Sequence, residues 1–295
     1  MKTTLKIIFA LMLAAWQTLP TLATGADKDL NALLWQISGK GLKKPSYLYG
    51  TLHAICPEQM VIPQVLRDKV GQTEQLTLEL DMDDPNMMGQ FMASAKLPKG
   101  QSLKALFSEA QYRLLAAYFA ENFSVDLKYL DNMKPFILQT MILSKLTGCT
   151  PESYEQRLMD IAHSNKHEVI GLETVQQQMS AVDQLPDSMY ADMLVRMVSD
   201  IPQAKTDYRR LVDLYLAQDL TGLESLMKQN YTPEQYLKFK EVFLSQRNKA
   251  WIPVIEQMAN AKPTFFAVGA AHLPGEDGVI ALLRKQGFKV TPVIK

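Results

Sequence analysis

The chain has 295 residues, of which 47% are hydrophobic and 21% charged, so it carries ample apolar material for a packed core. Its length gives a prior of one large domain or two small ones. Basic and acidic residues balance at 31 each with no basic stripe, which excludes the electrostatic footprint of a nucleic-acid binder.

The N-terminus reads as a targeting signal. Lys2 and Lys6 form a positive start, and residues 7–16 form an apolar stretch too short to span a bilayer. Pro20 breaks the helix, and small side chains at Thr21 and Ala23 fit cleavage after Ala23; a cut after Ala26 fits as well. The reading is therefore a signal peptide over 1–23, with export to the periplasm or medium. The mature chain, 27–295, loses two lysines and becomes net acidic, about −2. It contains no stretch that spans a membrane stably. Cys56 and Cys149 remain, and an oxidising compartment favours one disulfide between them over two buried thiols.

Residues 33–38 and 46–52 read as two strands of a hairpin around Gly39 and Gly41, followed by a helix over 63–70. Residues 75–82 alternate: Leu76, Leu78 and Leu80 face one way, and Gln75, Thr77, Glu79 and Asp81 the other. That pattern predicts a strand with one polar face. From 84 to 164 the pattern is helical. Met87, Met88, Phe91 and Met92 recur at helical spacing, and a stripe of this kind predicts core. Further helices are expected over 136–146 and 155–164, then a short strand over 168–171. A second helical block covers 175–261, with Pro186, Pro202, Pro233 and Pro253 near its helix starts. A strand over 264–268, a helix over 278–286 and a strand over 288–294 close the chain, with Gly287 as a helix-terminating glycine. The expected fold is α/β (α+β mixed): a central mixed or mostly parallel sheet built from both chain ends, with a large helical insertion in a single domain.

Two distant segments share one design. Tyr47-Leu48-Tyr49 runs into Gly50-Thr51-Leu52-His53, and Phe265-Phe266-Ala267-Val268 runs into Gly269-Ala270-Ala271-His272. A glycine at a strand edge permits close approach. A histidine three residues later projects beyond the strand's carboxyl end, where open α/β sheets place ligands. One such motif is weak evidence; two copies in a chain with 4 histidines carry weight. His163 and His167 lack that context. Schemes built on Gly-x-Ser-x-Gly, His-Glu-x-x-His or a phosphate-cradling loop are missing from the sequence. A Cys56–His53 dyad gives way to the disulfide, which would pin the loop bearing His53.

The run Leu33-Leu34-Trp35-Gln36-Ile37-Ser38, followed by the segment ending in His53, resembles the opening signature of the TraB/PrgY/GumN superfamily. That superfamily includes the TIKI-type metalloproteases and is distantly similar to the erythromycin esterase and ChaN-like folds. Leu76-Thr77-Leu78-Glu79-Leu80, Gly171-Leu172-Glu173-Thr174 with Gln178, Arg247-Asn248, the Gly269 segment and Gly287-Phe288 follow in order. The resemblance extends over essentially the whole mature chain, although the helical middle carries little of it. It implies a divalent metal, manganese, cobalt or zinc, held by His53, Glu79 and His272. That donor set suits a hydrolytic site with an open position for water. Glu173, at the end of its strand, is the candidate general base or orienter of a histidine, with a helix-start glutamate as the competing reading. Arg247 is the candidate oxyanion stabiliser, with a structural ion pair as its alternative. The expected activity is hydrolysis of an exported peptide or protein. The alternatives are a non-catalytic binder of metal, haem or peptide, and a metal-free esterase using histidine and glutamate.

Overall fold

The computed structural model describes residues 31–229 and 231–293; the signal peptide expected over 1–23 lies outside them. The early strands are β1 (Leu34–Ser38), β2 (Ser46–Thr51), β3 (Gln75–Leu78) and β4 (Glu168–Gly171), and the late ones are β5 (Thr264–Gly269) and β6 (Lys289–Pro292). They form one sheet in the order β4-β3-β5-β2-β1-β6. β4, β3, β5 and β2 are parallel neighbours, whereas β1 is antiparallel to both β2 and β6. The sheet is thus mixed and drawn from both chain ends. β2 and the first five residues of β5 are buried throughout, as parallel strands covered on both faces must be.

The helices are α1 (Gln64–Gly71), α2 (Met87–Ser94), α3 (Glu109–Phe123), α4 (Pro135–Leu146), α5 (Tyr154–Ser164) and α6 (Val175–Asp183). They continue with α7 (Asp187–Ser199), α8 (Ile201–Leu216), α9 (Leu220–Gln229), α10 (Pro233–Phe239), α11 (Gln246–Ala261) and α12 (Val279–Lys285). Capping boxes start α3 at Ser108, α6 at Thr174 and α10 at Thr232. Gly287 closes α12 with φ +91°, as a helix-terminating glycine should. Trp35, Leu48, Phe265 and Phe266 anchor the sheet's core, which also takes in Leu158, Tyr215 and Ile255 from the surrounding helices. Phe119, Leu138, Ile142 and Leu194 build a second core inside the helical region. That region therefore holds itself together apart from the sheet.

Three local expectations are corrected. β3 stops at Leu78, and all four of its residues are buried, Gln75 and Thr77 included. Its alternation does not mark a wet face, because Gln75 Nε2 donates to Thr77 Oγ1 at 3.1 Å inside the packing. α2 buries none of its residues fully: Met87 and Phe91 pack against the helical cores, but Met88 and Met92 are 61% and 45% exposed, so only half of the stripe is core. Pro253 lies inside α11 instead of at its start.

Candidate metal centre

All four parallel strands release a polar side chain at the same end of the sheet. His53 follows β2, Glu79 follows β3, Glu173 follows β4 and His272 follows β5. The pairing of β3 with β4 runs on past the strands, with Leu172 N donating to Leu78 O at 2.8 Å and Glu173 N to Glu79 O at 3.0 Å. The two glutamates are therefore neighbours by backbone register. Thr51 pairs with Gly269 across β2 and β5, which puts the two Gly-x-x-His segments side by side.

The centre of the cluster is Gly269. A Cβ built there would lie 3.3 Å from Glu79 Oε1, 3.4 Å from His53 Nε2 and 3.7 Å from His272 Cδ2. Glycine leaves that space free, and its amide donates to Glu79 Oε1 at 2.8 Å. His272 Nε2 lies 3.8 Å from the same carboxylate oxygen.

Each imidazole is fixed from behind. His53 Nδ1 donates to Glu155 Oε1 at 2.7 Å, and the Thr51 hydroxyl donates to the same oxygen at 2.5 Å. On the other ring, Asn248 Nδ2 donates to the carbonyls of His272 and Asp277, so Asn248 Oδ1 faces His272 Nδ1 at 2.6 Å and accepts its proton. Arg247 Nη1 stands 3.2 Å from His272 Nε2, and a guanidinium can only donate. His272 is thus the Nδ1-protonated tautomer, with its Nε2 lone pair directed inward. Nδ1 partners of this kind are what metal-binding histidines require.

Arg247 stands at the first turn of α11, directly after a π-helical segment, Lys240–Ser245; such segments frequently sit at functional sites. Its Nη2 reaches Glu79 Oε2 at 2.6 Å and Glu173 Oε1 at 2.5 Å. Glu173 also accepts from Trp251 Nε1 at 3.1 Å and Gln178 Nε2 at 3.2 Å. Its carboxylate serves Arg247 and neither histidine. The Arg247 guanidinium lies over the Trp251 ring at 4.8 Å, and that ring packs 4.5 Å from His272.

The electrostatics divide the two histidines. The Glu155 charge and hydrogen bond push the His53 pKa up to about 9; the side chain is 68% exposed, so water screens part of that attraction. His272, only 6% exposed, is pushed down to about 3 by burial, reinforced by the Arg247 and His53 charges against Glu79. Burial alone would raise the Glu79 carboxyl, but His272, Arg247, His53 and the Gly269 amide outweigh it and hold it well below the usual carboxylate range. Burial likewise opposes ionisation of Glu155, and His53 and Thr51 overcome it.

Behind His53 a disulfide joins Cys56 to Cys149. An antiparallel bridge between Ile55 and Glu152 lies beside it, and together they bring the start of α5, with Glu155, under His53. Among the described residues, the set of three His, Cys, Asp or Glu ligand atoms lying within 4.8 Å of one another is Cys56, Glu58 and Cys149. The disulfide leaves that set no thiolate. His53, Glu79 and His272 are more openly spaced, with Arg247 beside two of them. Their donor types suit a divalent cation, which would take the place of the Arg247 Nη1 contact at His272 Nε2.

Sequence reasoning did not assign Glu155 or the role of Asn248. Glu155 reads as an ordinary first-turn acid after the Ser153 cap. Asn248, although noticed next to Arg247, gave no sign of its partner.

An α/β sheet with His, His, Glu and Arg gathered at the carboxyl ends of its parallel strands defines a protein whose chemistry is seated on strand-end loops. The sequence matches the TraB/PrgY/gumN family over residues 33–292, and the chain belongs to that family. It is similar to metalloprotease TIKI2 of Danio rerio at 22% identity, over 90% of this chain and 61% of that protein. It is similar to metalloprotease TIKI1 of the same organism at 24%, over 97% and 69%. For the metalloprotease TIKI homolog of Nematostella vectensis the figures are 22%, over 90% and 67%. The chain thus spans 61% to 69% of the length of these relatives. No solved structure matches it.

Proposed function

We propose that this protein is an exported, divalent-metal-dependent hydrolase of polypeptides, with His53, Glu79 and His272 as the metal ligands. The observation that carries the reading is the convergence of His53, Glu79 and His272 on Gly269, with both Nδ1 protons engaged behind the rings. Manganese, cobalt or zinc bound there would supply Lewis acidity and a more acidic water. The chain's own residues supply the rest. Glu155 and Asn248 fix the ring orientations, and Glu79 remains ionised at every working pH. Arg247 places a permanent positive charge beside Glu79 and His272, where negative charge developing on a substrate oxygen would be stabilised. Glu173, with Trp251 and Gln178, positions Arg247. The names of the TIKI relatives support peptide-bond hydrolysis, and the Cys56–Cys149 disulfide supports an oxidising compartment. Among the described residues no helix is long and apolar enough to cross a membrane.

Elemental analysis of the purified protein tests this without a known substrate. Wild type should carry a stoichiometric divalent ion that His53→Ala and His272→Ala both lose. Wild type that takes up none of the three metals on supplementation would sink the reading. The Arg247 contact to His272 Nε2 favours one second reading, a metal-free esterase, which chelator-resistant ester hydrolysis would reveal.

A further inference from the structure

A trough of two adjoining cavities runs along α5 beside His53. A cavity of about 390 Å³ is lined by His53, Ser153 and Gln156, together with Glu152, Arg157 and Asp160. A second cavity of about 540 Å³ shares Glu152, Arg157 and Asp160 and continues to Met60, Ile62 and Arg67. His53 thus lines the first cavity and Arg67, on α1, the second, with the α5 wall common to both. Volumes of this size accommodate short segments of a ligand. The trough's outer wall is held by structure already described: Glu152 is paired through its backbone with Ile55 at 2.9 Å in both directions. The Tyr154 hydroxyl adds a clasp, accepting from Val61 N at 3.1 Å. The wall that the two cavities share is consequently a built feature of the fold.

Its charges are unequal. Arg157 is engaged, with Nε and Nη2 each 2.7 Å from Glu152 Oε2 and Nη1 3.9 Å from Asp160. The Arg67 guanidinium has no carboxylate within 4.0 Å and donates no hydrogen bond among the described residues. It is the trough's unspent cation. Met60 and Ile62 beside it offer modest apolar contact.

We propose that this trough binds the substrate polypeptide on the His53 side of the scissile bond, and that Arg67 selects a substrate carboxylate. The inference rests on the hydrolase reading for the location of the bond, but its binding part stands separately. The carboxylate could be an Asp or Glu side chain or the substrate's own C-terminus; guanidinium pairs with either in the same bidentate geometry.

Fluorescein-labelled hexapeptides separate these cases. One series carries an internal Asp with an amidated C-terminus, another a free C-terminus with no acidic side chain, and a third an internal Lys with an amidated C-terminus. Dissociation constants by anisotropy, and KM and kcat on the metal-supplemented protein, are measured for wild type, Arg67→Ala and Arg67→Glu. Wild type should favour one of the carboxylate series over the lysine series. Arg67→Ala should weaken it about tenfold in Kd and KM with kcat unchanged, and Arg67→Glu should transfer the preference to lysine. Arg67 is exposed, so both variants should keep the wild-type melting temperature. Equal affinity of all three proteins for all three series overturns the proposal, as does a loss confined to kcat. Selective binding without cleavage by any protein would uphold the trough while removing the hydrolase reading.

Discussion

Gly50 to His53 and Gly269 to His272 follow neighbouring parallel strands in register, yet the fold uses them differently. At Gly50 an added Cβ would meet Leu273 Cδ1 at 2.7 Å and the Ala270 backbone at 3.1 Å. The first glycine makes room for the second motif's turn. Gly269 instead makes room for the polar cluster itself. Their histidines differ as well. His53 is exposed and tied to a carboxylate that favours its charged form, whereas His272 is tied to a neutral amide and kept uncharged by its burial. Similar sequence therefore yields one ring tuned by charge and one tuned by burial, and what lies behind each ring makes the difference.

The most drastic way to break that comparison is to remove what the two rings share. Glu79→Ala should abolish metal uptake. It should also cost about 3 kcal/mol of stability, because Arg247 Nη2 and the Gly269 amide lose a charged acceptor while Glu173 still balances the guanidinium; urea denaturation and metal titration read both.

Acid should separate the rings next. The buried His272 stays neutral until about pH 3, whereas the unfolded chain binds that proton near 6.5. Its contribution therefore falls as pH drops below 6.5. His53 works in the opposite direction: its raised pKa gives stability that is fully present below 6.5 and is lost as pH rises through about 9. His272→Gln should flatten the acid limb by about 3 kcal/mol at pH 4 relative to pH 7, measured by urea unfolding at both values.

The glycines come third. Gly50→Ala should destabilise by about 1–3 kcal/mol through overpacking. Gly269→Ala, with no contact under 3.3 Å, should leave the melting temperature nearly unchanged while weakening metal binding. Equal effects on stability would erase the distinction between them.

The gentlest test exchanges the charge behind His53 for an amide. Glu155→Gln should return the His53 pKa from about 9 toward its ordinary value, followed by NMR titration. In metal-supplemented protein, uptake should rise with pH as His53 deprotonates, and this rise should move to lower pH in the variant. The maximal affinity should fall about tenfold. A metal-uptake profile identical to wild type would mean that Glu155 does not tune the ring.

Much of this arrangement is legible in the sequence because it is local. Strand, glycine and histidine lie within a few residues of each other, and Gly39, Gly41 and Gly287 mark real turns with positive φ. The sheet's composition from both chain ends follows from the same local patterns. What escapes is decided at long range. Glu155 reaches His53 only because Ile55 pairs with Glu152 and Cys56 is joined to Cys149, 93 residues away. At α2 the periodicity finds Met87 and Phe91, which pack against the helical cores, but does not tell that Met88 and Met92 stay exposed. At β3, real alternation of polar and apolar residues coexists with burial of both faces, since Gln75 and Thr77 satisfy each other.

The two long helical excursions, from Glu79 to His167 and from Leu172 to Pro263, both leave the sheet at the end that carries Glu79 and Glu173. The two excursions share one core, in which α3 and α4 of the first pack against α7 of the second, while α6 and α7 build another. Changes in those cores can reshape what approaches the strand ends without moving the strands that fix the chemistry. On the hydrolase proposal the architecture thus divides labour along the chain: a short, rigid set of positions for reactivity, and a large, tolerant set in which substrate preference can drift or be re-engineered.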